Sequence, residues 1–142
     1  MASALSKNIA ERVGAIDWKQ ASRDLDTQGS ALIDRVLFPH ECETLAALYA
    51  HDEIFRSRVV MERHGFGRGE YKYFSYPVPD LIESLRTAIY PYLVPIANRW
   101  NTAMGVEVRF PEKHADFIER CHKARQTKPT PLLLQYGKDD YN

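Results

Sequence analysis

The side chains able to do chemistry cluster between positions 56 and 76. Arg56, Arg58, Arg63, Arg68 and Lys72 are interleaved there with Phe66, Tyr71, Tyr73, Phe74 and Tyr76, against the acids Glu62 and Glu70. Cations beside aromatic faces suit stacking on a nucleic-acid base with phosphate nearby. They equally suit an ordinary half-buried hairpin. The glycines of His64-Gly65-Phe66-Gly67-Arg68-Gly69 are not a phosphate-binding fingerprint, because no helix follows them and no G-K-[ST] completes them. A second run of cations, Arg120, Lys123, Arg125 and Lys128, has no acid within it and reads as a helix end at the negative pole of the helix dipole. His114 and His122 show no carboxylate at ligand spacing and read as surface or rim histidines rather than metal ligands. There is no G-x-S-x-G, H-E-x-x-H, P-loop or local Cys-His signature, so no catalytic residue and no metal ligand is assigned.

These residues need elements to position them. Residues 5–27 read as one or two amphipathic helices with Ile9, Val13, Ile16 and Trp18 apolar and Asp17 as a cap. Residues 31–37 are rich in branched side chains and predict a strand. Pro39 suits a first helical turn, and Cys42, Leu45, Ala46 and Tyr49 at spacings of three and four predict a helix over 39–51 with one buried stripe. Arg58–Met61 and Tyr71–Phe74 flank the glycine segment as a hairpin with a mobile loop. From 79 to 104 the positions Leu81, Ile82, Leu85, Ile89, Tyr92, Leu93, Ile96 and Trp100 keep one helical phase across Pro91 and Pro95, which predicts a kinked helix or two helices in line along a sheet. Val106–Phe110 alternates like a strand, Pro111 opens a helix with Phe117, Ile118 and Cys121 inward, and Leu132–Tyr136 reads as a buried strand.

Composition limits what such a chain can be. The 142 residues carry 19 Lys+Arg against 19 Asp+Glu, which excludes a strongly basic nucleic-acid binder but not one acting through a local patch. A 44% hydrophobic content sustains a core without staples. Cys42 and Cys121 follow no C-x-x-C spacing, which fits a reduced, cytoplasmic setting. Without a long apolar run, no membrane partner is expected.

Longer stretches carry a resemblance. Arg99-Trp100-Asn101, Met104-Gly105, Arg109-Phe110-Pro111, His114, Phe117 and Cys121-His122 are followed by Pro129–Gly137 and Asp140-Tyr141-Asn142. With Phe38–Cys42, Glu70–Phe74 and Tyr90–Asn98, these resemble the first half of a bacterial family of iron(II)/2-oxoglutarate oxygenases. Members are described as demethylating damaged nucleic-acid bases oxidatively, in an AlkB-like manner. The similarity covers roughly residues 30–142, with residues 1–29 a separate helical segment.

The resemblance implies an α+β fold: helices packed on an incomplete antiparallel sheet, the N-terminal part of a double-stranded β-helix, or jelly roll. It implies iron(II) and 2-oxoglutarate in the complete protein, with iron held by a His-x-Asp pair and a later His. That pair is expected beyond Asn142, so the 142 residues alone are expected to bind neither group tightly and to be inactive. Tyr136 matches the Tyr of an Asn-x-Tyr pattern that contacts 2-oxoglutarate. Leu134 replaces the Asn, so Tyr136 is either that contact or a packed strand aromatic. Arg63, Arg68, Tyr71 and Tyr73 become candidate substrate-binding residues on a lid for single-stranded or damaged nucleic acid. The alternatives are an oxygenase that hydroxylates a protein side chain, as prolyl hydroxylases do, and a non-catalytic binding domain or remnant. Strands at 31–37, 57–61, 70–76, 106–110 and 131–136 are too few to close such a jelly roll. An apolar unpaired edge at 132–136 is therefore expected to promote self-association.

Overall fold

A computed structural model describes residues 7–142. The chain forms two compact units, one of the residues up to Phe38 with Glu83–Gln126, the other of Pro39–Ile82 with Thr127–Asn142.

The first unit is helical. In α1 (Ile9–Gly14), the Asn8 side chain accepts from the Glu11 amide while the Glu11 carboxylate accepts from the Asn8 amide, a reciprocal cap. Asp17 caps α2 (Trp18–Gln28) as its position implies, with Oδ1 2.9 Å from the Gln20 amide. Residues 31–37, expected as a strand, form a turn instead. Arg35 there has φ +58°, Leu32 is 89% exposed, and the Val36 carbonyl takes its bond from Arg12 Nη1 at 2.7 Å. Branched composition gave the appearance of a strand where no partner strand is paired.

α4 (Asp80–Ala103) runs unbroken through Pro91 and Pro95. Each proline denies a bond to the carbonyl four residues earlier, and those carbonyls belong to Thr87 and Pro91, both exposed, so water can satisfy them. The buried positions are Val94 and Ile96, whereas Tyr92, Leu93 and Trp100, expected inward, remain more than a third exposed. Two of these fasten α2 to α4. Tyr92 stacks on Trp18 with centroids 4.7 Å apart, and Trp100 Nε1 donates to Asp26 at 2.7 Å beside a two-oxygen contact from Arg99.

α5 (His114–Lys123) starts three residues after Pro111, which does not open the helix as expected. Phe117, Ile118 and Cys121 are half-buried. Residues 106–110 are not a strand either. Asn98 on α4 takes the place of a neighbouring strand: its Nδ2 donates to the Phe110 carbonyl at 3.1 Å and its Oδ1 accepts from the Phe110 amide at 2.7 Å. Asn101 does the same for the Val108 carbonyl at 2.8 Å.

The second unit holds an antiparallel sheet in the order β1 (Phe55–Val60), β2 (Glu70–Phe74), β3 (Leu132–Gln135). A bulge at Arg56 separates the pairs Phe55 with Phe74 and Ser57 with Tyr73. Before β1 come α3 (Pro39–Ala47) and two short helical turns, Leu48–Ala50 and Asp52–Ile54. The stripe expected in α3 is not buried: Cys42 and Ala46 are exposed, Leu45 and Tyr49 half-buried. Met61 and Phe74 are the most deeply buried side chains of this unit. β3 pairs with β2 alone among the described strands, and it is not buried as its composition suggested, with Leu134 50% exposed.

Candidate functional site

Alternation along β2 divides the sheet into two chemically different faces. Glu70, Lys72 and Phe74 share one face. Phe74 is fully buried against Phe55, their rings 4.8 Å apart. Lys72 is buried too, and its Nζ donates to the Tyr49 carbonyl and to Asp52, each at 2.7 Å, with the Tyr49 ring 4.2 Å away. The Lys72 ammonium holds the Asp52 carboxyl below its ordinary pKa. Glu70 receives Arg58 on both oxygens, at 2.6 and 2.7 Å, and the Tyr49 hydroxyl at 2.7 Å. Arg58 in the first place, with Tyr49, lowers the Glu70 pKa to about 2 against the cost of burial. Burial first, and then the hydrogen bond to Glu70, raise that of Tyr49. This face is a fully paired charge network that holds the sheet to the helical turns.

The other face carries Tyr71 and Tyr73. Their rings meet edge to face at 5.5 Å, both half-buried. The bulge turns Arg56 over Tyr73, with its guanidinium carbon 4.4 Å from the ring centroid and its Nε donating to the Pro129 carbonyl at 3.0 Å. The register sets Leu132 opposite Tyr73 and Leu134 opposite Tyr71, so exposed apolar surface continues the aromatic patch. Two aromatic faces, one anchored guanidinium and an apolar margin form a surface on which a flat, unsaturated group can stack.

At the Glu70 end of the sheet lies an open cleft of about 480 Å³, lined by Val60, Gly69, Glu70, Gln135, Tyr136, Gly137 and Asp140. Tyr136 lies flat against Gly69: a Cβ added there would fall 2.8 Å from the ring, and Gly69 has φ +124°. Asp140 accepts from the Gly137 amide at 2.7 Å and faces Arg68 Nε at 3.9 Å. The Arg68 backbone is bridged to Tyr141, amide to carbonyl in both directions, at 2.6 and 2.9 Å.

The structure therefore brings Tyr71 and Tyr73 together but separates the two arginines from them. Arg63 is exposed on the short turn Met61–His64, and among the described residues no hydrogen bond, ion pair or ring contact joins it to the tyrosines. Arg68 belongs with Asp140 and Tyr141. The loop expected to move is thus tied down at Arg68. Arg56 is the cation that serves the aromatic face, although sequence reading left it among the hairpin cations without a site. Its partnership with Tyr73 depends on strand register and a bulge, neither visible in residue types.

Helices with a small antiparallel sheet define an α+β domain, one face of the sheet carrying two tyrosines and an arginine. The chain belongs to the family described as oxygenases catalysing oxidative methylation of damaged DNA, whose model matches residues 69–142. The matched residues include β2, α4, α5, β3 and the cleft residues Tyr136 and Asp140. The chain is also 42% identical over 69 residues to an uncharacterized protein of Mycobacterium tuberculosis, found alike in strains H37Rv and CDC 1551. The alignment covers 49% of this chain and 30% of the relative, so the chain spans under a third of the curated relatives it matches. No solved structure matches the chain.

Proposed function

We propose that the chain is the nucleic-acid-gripping part of an iron(II)- and 2-oxoglutarate-dependent oxygenase that removes alkyl groups oxidatively from damaged bases, its sheet a portion of a jelly roll. The observation that carries this is the Tyr71–Tyr73 pair with Arg56 seated over it. A base taken out of its stack can lie on the tyrosines, while arginine adds a cation for the ring or for phosphate.

The cofactors of the proposal do not fit the residues described. Among them no three His, Cys, Asp or Glu side chains come together to hold a metal ion. The cleft beside Tyr136 presents two carboxylates, Glu70 and Asp140, and Arg58 and Arg68 face these rather than a ligand. Among the described residues that line the cleft, no uncommitted cation is left to hold a dicarboxylate. Of the two roles open to Tyr136, that of a packed strand aromatic is the one its ring against Gly69 supports. The role assigned to this chain is binding and orientation of the substrate.

Equilibrium binding of a labelled single-stranded oligonucleotide carrying a methylated base tests this. The full chain should bind at low salt, weaken linearly in log affinity with log salt, and lose about tenfold in Tyr73→Ala, the size of one stacked base. Absence of binding at low salt, with binding of an unstructured peptide instead, would replace nucleic acid by a protein side chain as the substrate.

A further inference from the structure

We propose that the contact between α5 and α4 is a latch closed by neutral His114 and released by protonation of its ring. His114 is the first residue of α5, and Arg86 Nε on α4 lies 3.2 Å from its Nε2. A guanidinium only donates, so Nε2 must be the accepting nitrogen and the ring proton sits on Nδ1, which faces Thr87 Oγ1 at 3.5 Å. Tyr90 covers the ring at 5.3 Å, and its hydroxyl donates to the Pro111 carbonyl at 2.7 Å just before the helix. Neutral imidazole thus ties two successive turns of α4 to the start of α5.

Protonation reverses the contact with Arg86 and leaves those with Thr87 and Tyr90 in place. A second ring hydrogen would point from Nε2 at the Arg86 guanidinium, replacing a hydrogen bond by two cations in contact. Arg86 cannot readily turn away: its side chain is 18% exposed, and its buried Nη1 already lacks a hydrogen-bond acceptor. The first turn of a helix also opposes a cation through its exposed amides. The groups facing the ring from α4 are Glu83, Arg86 and Tyr90. Lys113 precedes His114 and Asp116 follows it in the first turn of α5. Glu83, 3.8 Å from Arg86 Nη1, pulls the ring toward protonation, and the Asp116 carboxylate acts in the same direction. Burial first, and Arg86 second, outweigh both and hold His114 below the ordinary histidine value.

The linkage sign follows from a depressed histidine. The unfolded ring takes up its proton near pH 6.5, the folded ring only at lower pH. Between these points the open state holds more protons, so the contact is complete above about pH 6.5 and weakens as pH falls. The released helix carries Arg120, which donates to the Arg109 carbonyl at 2.7 Å, and Lys123, so acidification would alter how these cations are presented.

Two measurements on the full chain decide this without reference to any activity. In NMR titration the His114 ring should have a midpoint below the ordinary histidine value. Hydrogen exchange of the α5 amides, corrected for intrinsic rates, should quicken from pH 7.5 to 5.5 in step with that midpoint. In His114→Gln, which keeps an acceptor but cannot be protonated, the quickening should be lost. A His114 midpoint at or above the ordinary histidine value, or equal loss of α5 protection in His114→Gln, would overturn the latch. If His114→Gln does not fold, exchange that fails to follow the wild-type ring midpoint overturns it equally.

Discussion

Glu70 shows how one side chain can be committed to structure while lying at the rim of a cleft. Its two oxygens hold Arg58 and the Tyr49 hydroxyl, and its carboxyl is lowered to about 2 from 4.5. A depressed carboxyl contributes stability above its unfolded value and loses it as pH falls through the folded one. Glu70→Gln should therefore destabilise the chain by about 1–2 kcal/mol at pH 7, a figure discounted for the exposure of Arg58. The difference from wild type should shrink between about pH 4.5 and 2. Denaturant midpoints at pH 7 and pH 3 check both statements. Two glycines set the neighbouring geometry. At Gly67, with φ +112°, an added Cβ would meet the Tyr141 carbonyl oxygen; at Gly69 it would meet the Tyr136 ring. Backbone cannot yield as a ring can. Gly67→Ala should thus cost about 1–3 kcal/mol and break the Arg68–Tyr141 bridge, while Gly69→Ala should chiefly displace Tyr136. Thermal unfolding of the first and Tyr136 ring shifts in the second are the readouts.

Among the elements, α4 was legible in sequence because its apolar phase persists for more than twenty residues, and its prolines proved tolerable because the carbonyls they orphan are exposed. Pro91→Ala should restore a donor to the Thr87 carbonyl and stabilise the chain by about 1–3 kcal/mol, read as a higher unfolding temperature. Tyr92→Ala should cost about 1–2 kcal/mol by removing the stack on Trp18. The hairpin was legible from its glycines and flanking aromatics. The strands expected over 31–37, from branched composition, and over 106–110, from alternation, were not there, because neither pattern supplies a partner strand. At 106–110 the side-chain amides of Asn98 and Asn101 satisfy the backbone, a solution that residue types alone do not disclose.

Over the whole molecule, membership of the oxygenase family, shown over residues 69–142, agrees with the coarser part of the resemblance, an oxygenase acting on damaged nucleic acid, and the α+β class holds. The tyrosines of the candidate site were legible because aromatic density on a hairpin is visible in sequence. Arg56 was not, because only the bulge selects it from five similar cations. If the tyrosine face grips nucleic acid as proposed, neutral net charge and a single seated arginine should make that binding weak and salt-sensitive, with stacking supplying most of the discrimination. The β3 edge is unpaired on one side among the described strands and carries Leu134, so association at high concentration is the expected outcome of a sedimentation measurement, and a monomer throughout would contradict it. The central claim is that Tyr71, Tyr73 and Arg56 hold a base. Its most direct measurement is an NMR titration of the full chain with a short single-stranded oligonucleotide at low salt. The Tyr71 and Tyr73 ring signals and the Arg56 Nε signal should move together and saturate with one affinity. Shifts confined to Arg120, Lys123 and Arg125, with the tyrosine rings unmoved, would contradict it.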